Sequence, residues 1–184
     1  MKHILRILLV GSFIWYFGEG LLGPLYAVFA QTIGGNILDI TWAWAVYLIF
    51  AGIFSILVGK LADGLDRAKI MIAGYALNVV ATFGYLWVNS PARLFVVQFV
   101  LGLALALATP TWDGLYSLAE DKKKVCTEWG IAYGGPQIVL GVAAVLGGFI
   151  VSEWGFRALF GIMGSVQILA TLIQARILFE KAKA

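Results

Sequence analysis

Six apolar stretches, each about twenty residues or longer and joined by short polar turns, leave this chain few folds to adopt. They cover about 4–30, 40–59, 70–88, 92–119, 130–151 and 156–179, and a bilayer core of about 30 Å needs roughly 20 apolar residues as helix. Charge agrees. Only 12% of the 184 residues are charged, against roughly 25% in soluble domains, too few to coat a globule. The expectation is an all-α, multi-pass integral membrane protein: a single six-helix bundle spanning residues 1–184, with no linker long enough to separate two domains.

Lys2 and Arg6, ahead of an apolar run that passes through Val28-Phe29-Ala30, have the outline of a secretory signal. That run far exceeds the roughly 7–15 apolar residues of a signal and carries Glu19 and Pro24, so it reads as the first helix. Gly34-Gly35-Asn36 and Asn89-Ser90-Pro91 read as turns on one side, and Glu120-Asp121-Lys122-Lys123-Lys124 as a polar loop on the other, placed to touch anionic lipid. Of the 13 Lys and Arg residues, all but Arg93 and Arg157 fall on one set of helix ends. Lys2 and Arg6, then Lys60, Arg67 and Lys69, the three lysines 122–124, and finally Arg176, Lys181 and Lys183 share that side. Cytoplasmic loops are Lys/Arg-rich, so both termini and the 59–69 loop are expected in the cytoplasm.

Several chemistries lack their residues. Cys126 is alone, and the one histidine, His3, lies beside the N-terminus, so disulfide frameworks, thiolate or imidazole metal sites and a Ser–His protease have nothing to build on. No basic stripe follows one helix face, which argues against nucleic acid. No metal, nucleotide or redox cofactor is expected, and no enzymatic activity.

The connector Gly59-Lys60-Leu61-Ala62-Asp63-Gly64-Leu65-Asp66-Arg67-Ala68-Lys69 packs two acids and three bases between two apolar runs. Asp63 can accept hydrogen bonds from the free N–H groups of a helix N-terminus, Arg67 can pair with that carboxylate, and Gly59 lets a helix end approach a neighbour. The bland alternative is a solvated, positively charged connector. This connector resembles the loop between the second and third helices of the major facilitator superfamily, Gly-x-Leu-Ala-Asp-Arg-x-Gly-Arg-Lys/Arg. Gly59, Leu61, Ala62, Asp63 and Arg67 match; Gly64, Asp66 and Ala68 depart. Gly147-Gly148 followed by Gly155-Phe156-Arg157-Ala158-Leu159-Phe160 is similar to the family's Gly-Gly…Gly-Trp-Arg-x-x-Phe stretch between helices 5 and 6. Gln98-x-x-x-Gly102 stands where drug–proton antiporters of the family carry Arg-x-x-x-Gly, and Ala143-Ala144 falls at the antiporter-type Gly-Pro.

The resemblance implies half of a major facilitator fold: six transmembrane helices with a 3+3 inverted repeat, where a full member has two such halves. Pro24 and Pro110, about equally far along helices 1 and 4, echo that repeat. A parallel homodimer would rebuild the whole, with a second copy of this chain as partner and a two-fold interface. By the same resemblance, helices 1 and 4 line a central cavity, and the Asp63 loop meets the partner's helix 5 near Glu128. Gly59, Asp63, Arg67 and Glu128 would then form a cytoplasmic gate.

Ionisable groups within the membrane are functional candidates by default. Glu19 shares a helix face with Trp15, Tyr16, Gly23 and Tyr26; Asp113 shares one with Gln98, Gly102, Thr109, Trp112 and Tyr116. Both stripes are expected to face one chamber, where carboxylates can load and release a proton and, with aromatic rings, hold an organic cation. Sugar stacking on Trp15 or Trp112 competes for the same surface, as does the simpler role of bonding a neighbouring helix. Tyr133 and Gln137 flank Gly134-Gly135-Pro136, which either opens helix 5 towards the cavity or packs it closely. Asn78, Gln167 and Gln174 read as interhelical hydrogen bonds, and Trp42, Trp87 and Trp154 as interfacial anchors. The expected function is secondary transport of a small molecule, proton- or cation-coupled. A non-transporting membrane scaffold and the N-terminal half of a longer transporter are the alternatives.

Overall fold

The computed structural model describes residues 2–181, so the charge assigned to Lys183 lies outside the described residues. The chain is helical nearly throughout. Helix α1 covers Lys2–Leu22, a 3-10 turn covers Gly23–Leu25, and α2 covers Tyr26–Thr32. Then come α3 (Ile37–Ala62), α4 (Arg67–Gly84), a 3-10 turn at Tyr85–Trp87, α5 (Pro91–Ala119) and α6 (Val125–Lys181).

Local chemistry sets these boundaries. Asn36 caps α3 by accepting from the N–H groups of Leu38 and Asp39, while Asp39 accepts from Asn36 N–H at 3.0 Å, a reciprocal capping box. Asp66 caps α4 through Ala68 N–H. Pro24 coincides with the 3-10 break after α1, because proline removes a backbone donor. Pro110 lies inside continuous α5, so the expected proline echo between helices 1 and 4 does not carry into the backbone.

Five stretches are long and apolar enough to cross a membrane: His3–Thr32, Ile37–Ala62, Arg67–Trp87, Pro91–Ala119 and Val125–Glu180. The protein is therefore an integral, multi-pass membrane protein with an all-α bundle. The sequence reading expects six helices. The difference is α6, which joins the expected 130–151 and 156–179 segments into one element of 57 residues. A straight helix of that size would run about 85 Å, nearly three times a bilayer core. It does not stay straight. Gly155 takes φ 77° and ψ 176° inside it, a conformation open to glycine without Cβ strain.

Contacts with α1 give the direction of each limb of α6. Before Gly155, Gly135 meets Phe13, Leu140 and Ala143 meet Gly20, and Gly147 meets Leu21, so residue numbers rise together. After Gly155, Gln167 meets Gly18 and Gln174 meets Gly11, so they run opposite. The chain thus doubles back at Gly155, and both limbs clasp α1. No opening occurs at Gly134-Gly135-Pro136: α6 continues through it, and Gly135 instead makes room for the Phe13 ring. Close packing is the role of that stretch.

The described ends meet, with His3 Nε2 and Glu180 Oε1 3.5 Å apart. The 63–67 connector lies at this end too, since Arg67 packs against Gly114 of α5. The 120–124 loop joins them, because the Tyr116 hydroxyl donates to Glu128 O at 2.7 Å.

Two apolar clusters fill the bundle. One, towards the charged end, holds Leu8, Met71, Tyr75, Trp112, Leu115 and Ile177. The other, towards the opposite end, holds Phe29, Tyr85, Leu94, Leu159, Phe160 and Met163. Between them lies a polar layer.

Candidate functional site

Glu19 stands in that layer. It is carried near the middle of the 2–32 run, where an unpaired carboxylate surrounded by lipid or apolar side chains is costly. Two amides meet it. Asn78 Nδ2 on α4 donates to Glu19 Oε1 at 2.9 Å, and Gln167 Nε2 on the second limb of α6 donates to the same oxygen at 2.7 Å. The Thr82 hydroxyl then donates to Gln167 Oε1 at 2.5 Å. One carboxylate thereby ties α1 to α4 and α6 through neutral donors, with no ion pair to it among the described residues.

Glu19 also forms part of the wall of a cavity of about 270 Å³. Trp15, Tyr16 and Tyr26 line it from the first helical run, Trp44 and Tyr47 from α3, and Gln98 from α5. Gln98 Nε2 donates to the Tyr85 hydroxyl at 3.3 Å. The Trp15 Nε1 is buried and has no hydrogen-bond partner among the described residues. Aromatic walls, one carboxylate and an unused indole N–H make a surface suited to an organic molecule with a cationic or hydrogen-bonding group.

Asp113 lies elsewhere. It lines a smaller cavity of about 80 Å³ together with Ser12, Thr109, Trp112 and Tyr133. Trp15 and Tyr16 belong to both cavities, so these two rings separate the acids that the sequence reading puts in one chamber. The reason is size: an indole and a phenol on adjacent residues fill the space between the helix 1 and helix 4 stripes. Tyr116 is fully buried, stacks on Trp112 at 4.8 Å between ring centroids and reaches neither cavity. Gln137 is exposed and lines neither.

At the charged end, Arg67 Nη2 donates to Asp63 Oδ1 at 3.1 Å, four residues apart. Within this chain Asp66 is the N-cap of α4 and Asp63 ends α3, so the helix N-terminus expected to meet Asp63 is not that of α4. The Asp63 side chain is 79% exposed. No described residue beyond its own turn of helix comes within 4 Å of a Cβ built on Gly59, and the Glu128 carboxylate accepts from Asp121 N–H at 2.8 Å. The four gate candidates are therefore not brought together in one protomer.

The profile of the Major Facilitator Superfamily matches residues 8–184. The chain belongs to that superfamily. It is a carrier family and not an enzyme family. The chain is 24% identical over 167 residues to an uncharacterised MFS-type transporter of Methanocaldococcus jannaschii, covering 91% of this chain and 43% of that protein. It is 24% identical over 176 residues to the quinolone resistance protein NorB of Staphylococcus aureus, covering 94% of this chain and 37% of the relative. The same protein from a second strain is 23% identical over the same length. The chain thus spans well under half the length of the curated relatives it matches.

Within this superfamily framework, sequence reasoning missed Trp44, Tyr47, Thr82 and Tyr85 as cavity residues. A signal existed for the last two. Asn78, Thr82 and Tyr85 follow one another at i, i+4 and i+7 on a helix otherwise apolar, a polar stripe aimed inward. Trp44 and Tyr47 carry no such mark, because α3 is apolar on all sides.

Proposed function

We propose that this chain is one half of a secondary active transporter that moves a small organic molecule by alternating access. Glu19 is the coupling group. The observation that carries the reading is its carboxylate, held by Asn78 and Gln167 on the wall of an aromatic cavity midway through the bundle. A proton or an organic cation can neutralise that charge, and either exchange would tie occupancy to the bonds linking three helices. The relatives' name, quinolone resistance protein, supports an amphipathic aromatic substrate; a sugar stacked on Trp15 is the competing cargo.

Six crossings are part of the proposal. The reversal at Gly155 and the meeting of His3 with Glu180 support an even number of passes, as a 3+3 inverted repeat requires. With the Lys/Arg-rich end inward, both termini are cytoplasmic.

The second half is a second copy, arranged parallel. Support comes from the side of the cavity that this chain leaves open. Helix α3 buries only Ala43, Ala51, Val58 and Ala62, while the first limb of α6 exposes Ile138, Val145 and Phe149 by 72%, 62% and 65%. These flanks carry Trp44, Tyr47 and Leu140 of the cavity wall. A second reading, that the chain is the N-terminal half of a longer transporter, is favoured by the 43% and 37% coverage of its relatives. Native mass measurement in mild detergent decides between them: a dimer is expected, and a persistent monomer rules out the two-copy assembly. Uptake in vesicles then separates transport from a scaffold role, and no uptake of any amphipathic cation or sugar would favour the scaffold.

In the assembled carrier, Asp63 and Arg67 form an inner latch against the partner's first α6 limb. Asp63→Asn is expected to shift the inward/outward balance while changing protomer stability by less than about 1 kcal/mol, because exposed ion pairs contribute little. Cysteine accessibility from the two membrane faces reads that balance, and identical labelling of parent and variant would remove Asp63 from gating.

A further inference from the structure

The end of the bundle opposite the charged loops carries two cations, Arg93 and Arg157, and both line one cavity of about 420 Å³. Lysine and arginine are otherwise scarce at this end among the described residues. The placement of Arg93 is electrostatically unfavourable: it occupies the first turn of α5, where the positive end of the helix dipole repels a cation and where Ser90 provides no side-chain cap. Arg157 stands two residues beyond the break at Gly155.

No carboxylate relieves either charge among the described residues. The cavity lining contains no Asp or Glu. Of the two acids nearest this end, Asp39 closes the cap on Asn36, and Glu153 lines a separate apolar cavity and forms no ion pair with either arginine. Arg93 spends one donor on Trp87 O at 3.0 Å, which fixes its guanidinium and leaves further N–H groups for a ligand.

Asn89 adds an amide to the lining, while Tyr85, Phe156 and Phe160 give it an apolar floor. The surroundings are interfacial. Trp42, Trp87 and Trp154, all at this end, are 62%, 69% and 70% exposed, as expected of rings at the headgroup level. A ligand here must supply an anion that accepts forked hydrogen bonds and must bring apolar chains that continue into the bilayer. A phosphate diester on acyl chains meets both requirements.

We infer that Arg93 and Arg157 hold the phosphate of an anionic phospholipid whose headgroup occupies this cavity, in the leaflet at the arginine-poor end. The site shares only the Tyr85 ring with the wall of the central cavity and does not rest on the transport reading.

The test is a titration of the delipidated protein in mild detergent with dioleoyl phosphatidylglycerol, read by native mass measurement. Dioleoylglycerol, with the same tails and no phosphate, and inorganic phosphate are the other probes. The expected result is a tightly held phosphatidylglycerol whose affinity falls at least about tenfold in Arg93→Gln/Arg157→Gln. Dioleoylglycerol should bind neither protein, and inorganic phosphate should not displace the lipid. Lys122→Gln/Lys123→Gln/Lys124→Gln removes the polybasic loop at the far end and should leave this lipid bound. Equal affinity in the parent and the arginine variant overturns the assignment, and displacement by inorganic phosphate overturns it in favour of a soluble anion. If the double variant fails to fold, Arg93→Gln and Arg157→Gln are measured singly, and each is expected to weaken binding.

Discussion

Glu19→Gln is expected to abolish uphill, gradient-driven accumulation in proteoliposomes, with the protein still folded and assembled and still equilibrating substrate downhill. The separation follows from geometry. Glu19 Oε1 accepts from Asn78 Nδ2 and Gln167 Nε2, and a glutamine Oε1 of the same reach can accept both bonds. The link from Gln167 to Thr82 is likewise kept. What disappears is the ability to change charge. A carrier that couples through this group would lose the exchange step and retain downhill movement of substrate. Glu19→Leu is the contrasting substitution: it strands two buried amide donors at about 1–3 kcal/mol each, so lower thermal stability should accompany its loss of transport. Unchanged uphill uptake in Glu19→Gln would strike the residue from the coupling mechanism. Asp113→Asn should have the smaller effect, because Asp113 lies in a separate cavity behind Trp15 and Tyr16.

The contrast between these acids shows which parts of the site could be read from sequence. A carboxylate in an apolar run is conspicuous at any distance in the chain, so Glu19 and Asp113 were both legible. Whether they share a chamber depends on how two ring side chains fill the space between helices, which no spacing rule encodes. Asn78 and Gln167 were legible as interhelical donors, yet their common acceptor was not, since they lie 59 and 148 residues from Glu19. The bundle itself was plain from run length and from the one-sided placement of Lys and Arg.

Helix ends were less so. Gly134-Gly135-Pro136 is the stronger breaker by composition, but Phe13 packs on Gly135 and the helix continues. The reversal occurs at Gly155, inside the 152–155 gap that the sequence reading leaves between its fifth and sixth segments, though helix continues up to it on both sides. The sequence reading leaves the α4 cap unassigned, and Asp66 takes it rather than Asp63. The choice between them turns on backbone angles: Asp66 has φ −74° and ψ 97°, extended, whereas Asp63 remains helical at −65° and −29°. An N-cap needs the former.

Gly74→Leu is expected to be among the more damaging single substitutions in the bundle. A Cβ at Gly74 would lie 2.7 Å from Ala108 N and 2.8 Å from Ala104 O. Both are backbone atoms of α5, so no rotamer change can make room and the two helices must move apart. Overpacking of this kind costs typically about 1–3 kcal/mol, and this site belongs at or beyond the upper end, because separating α4 from α5 also loosens Tyr75, Asn78 and Thr82 around the cavity. A lower melting temperature in detergent and loss of the folded fraction on size exclusion are the expected readouts. Gly59→Leu provides the reference. No described residue beyond its own turn of helix comes within 4 Å of a Cβ there, so the protomer should keep its stability. Any defect in that variant must arise from what lies against α3 from outside, and loss of assembly at unchanged protomer stability would identify that neighbour as the second half of the carrier. If Gly74→Leu melted with the parent, the close approach of α4 and α5 would be wrong, and with it the placement of Asn78 beside Glu19.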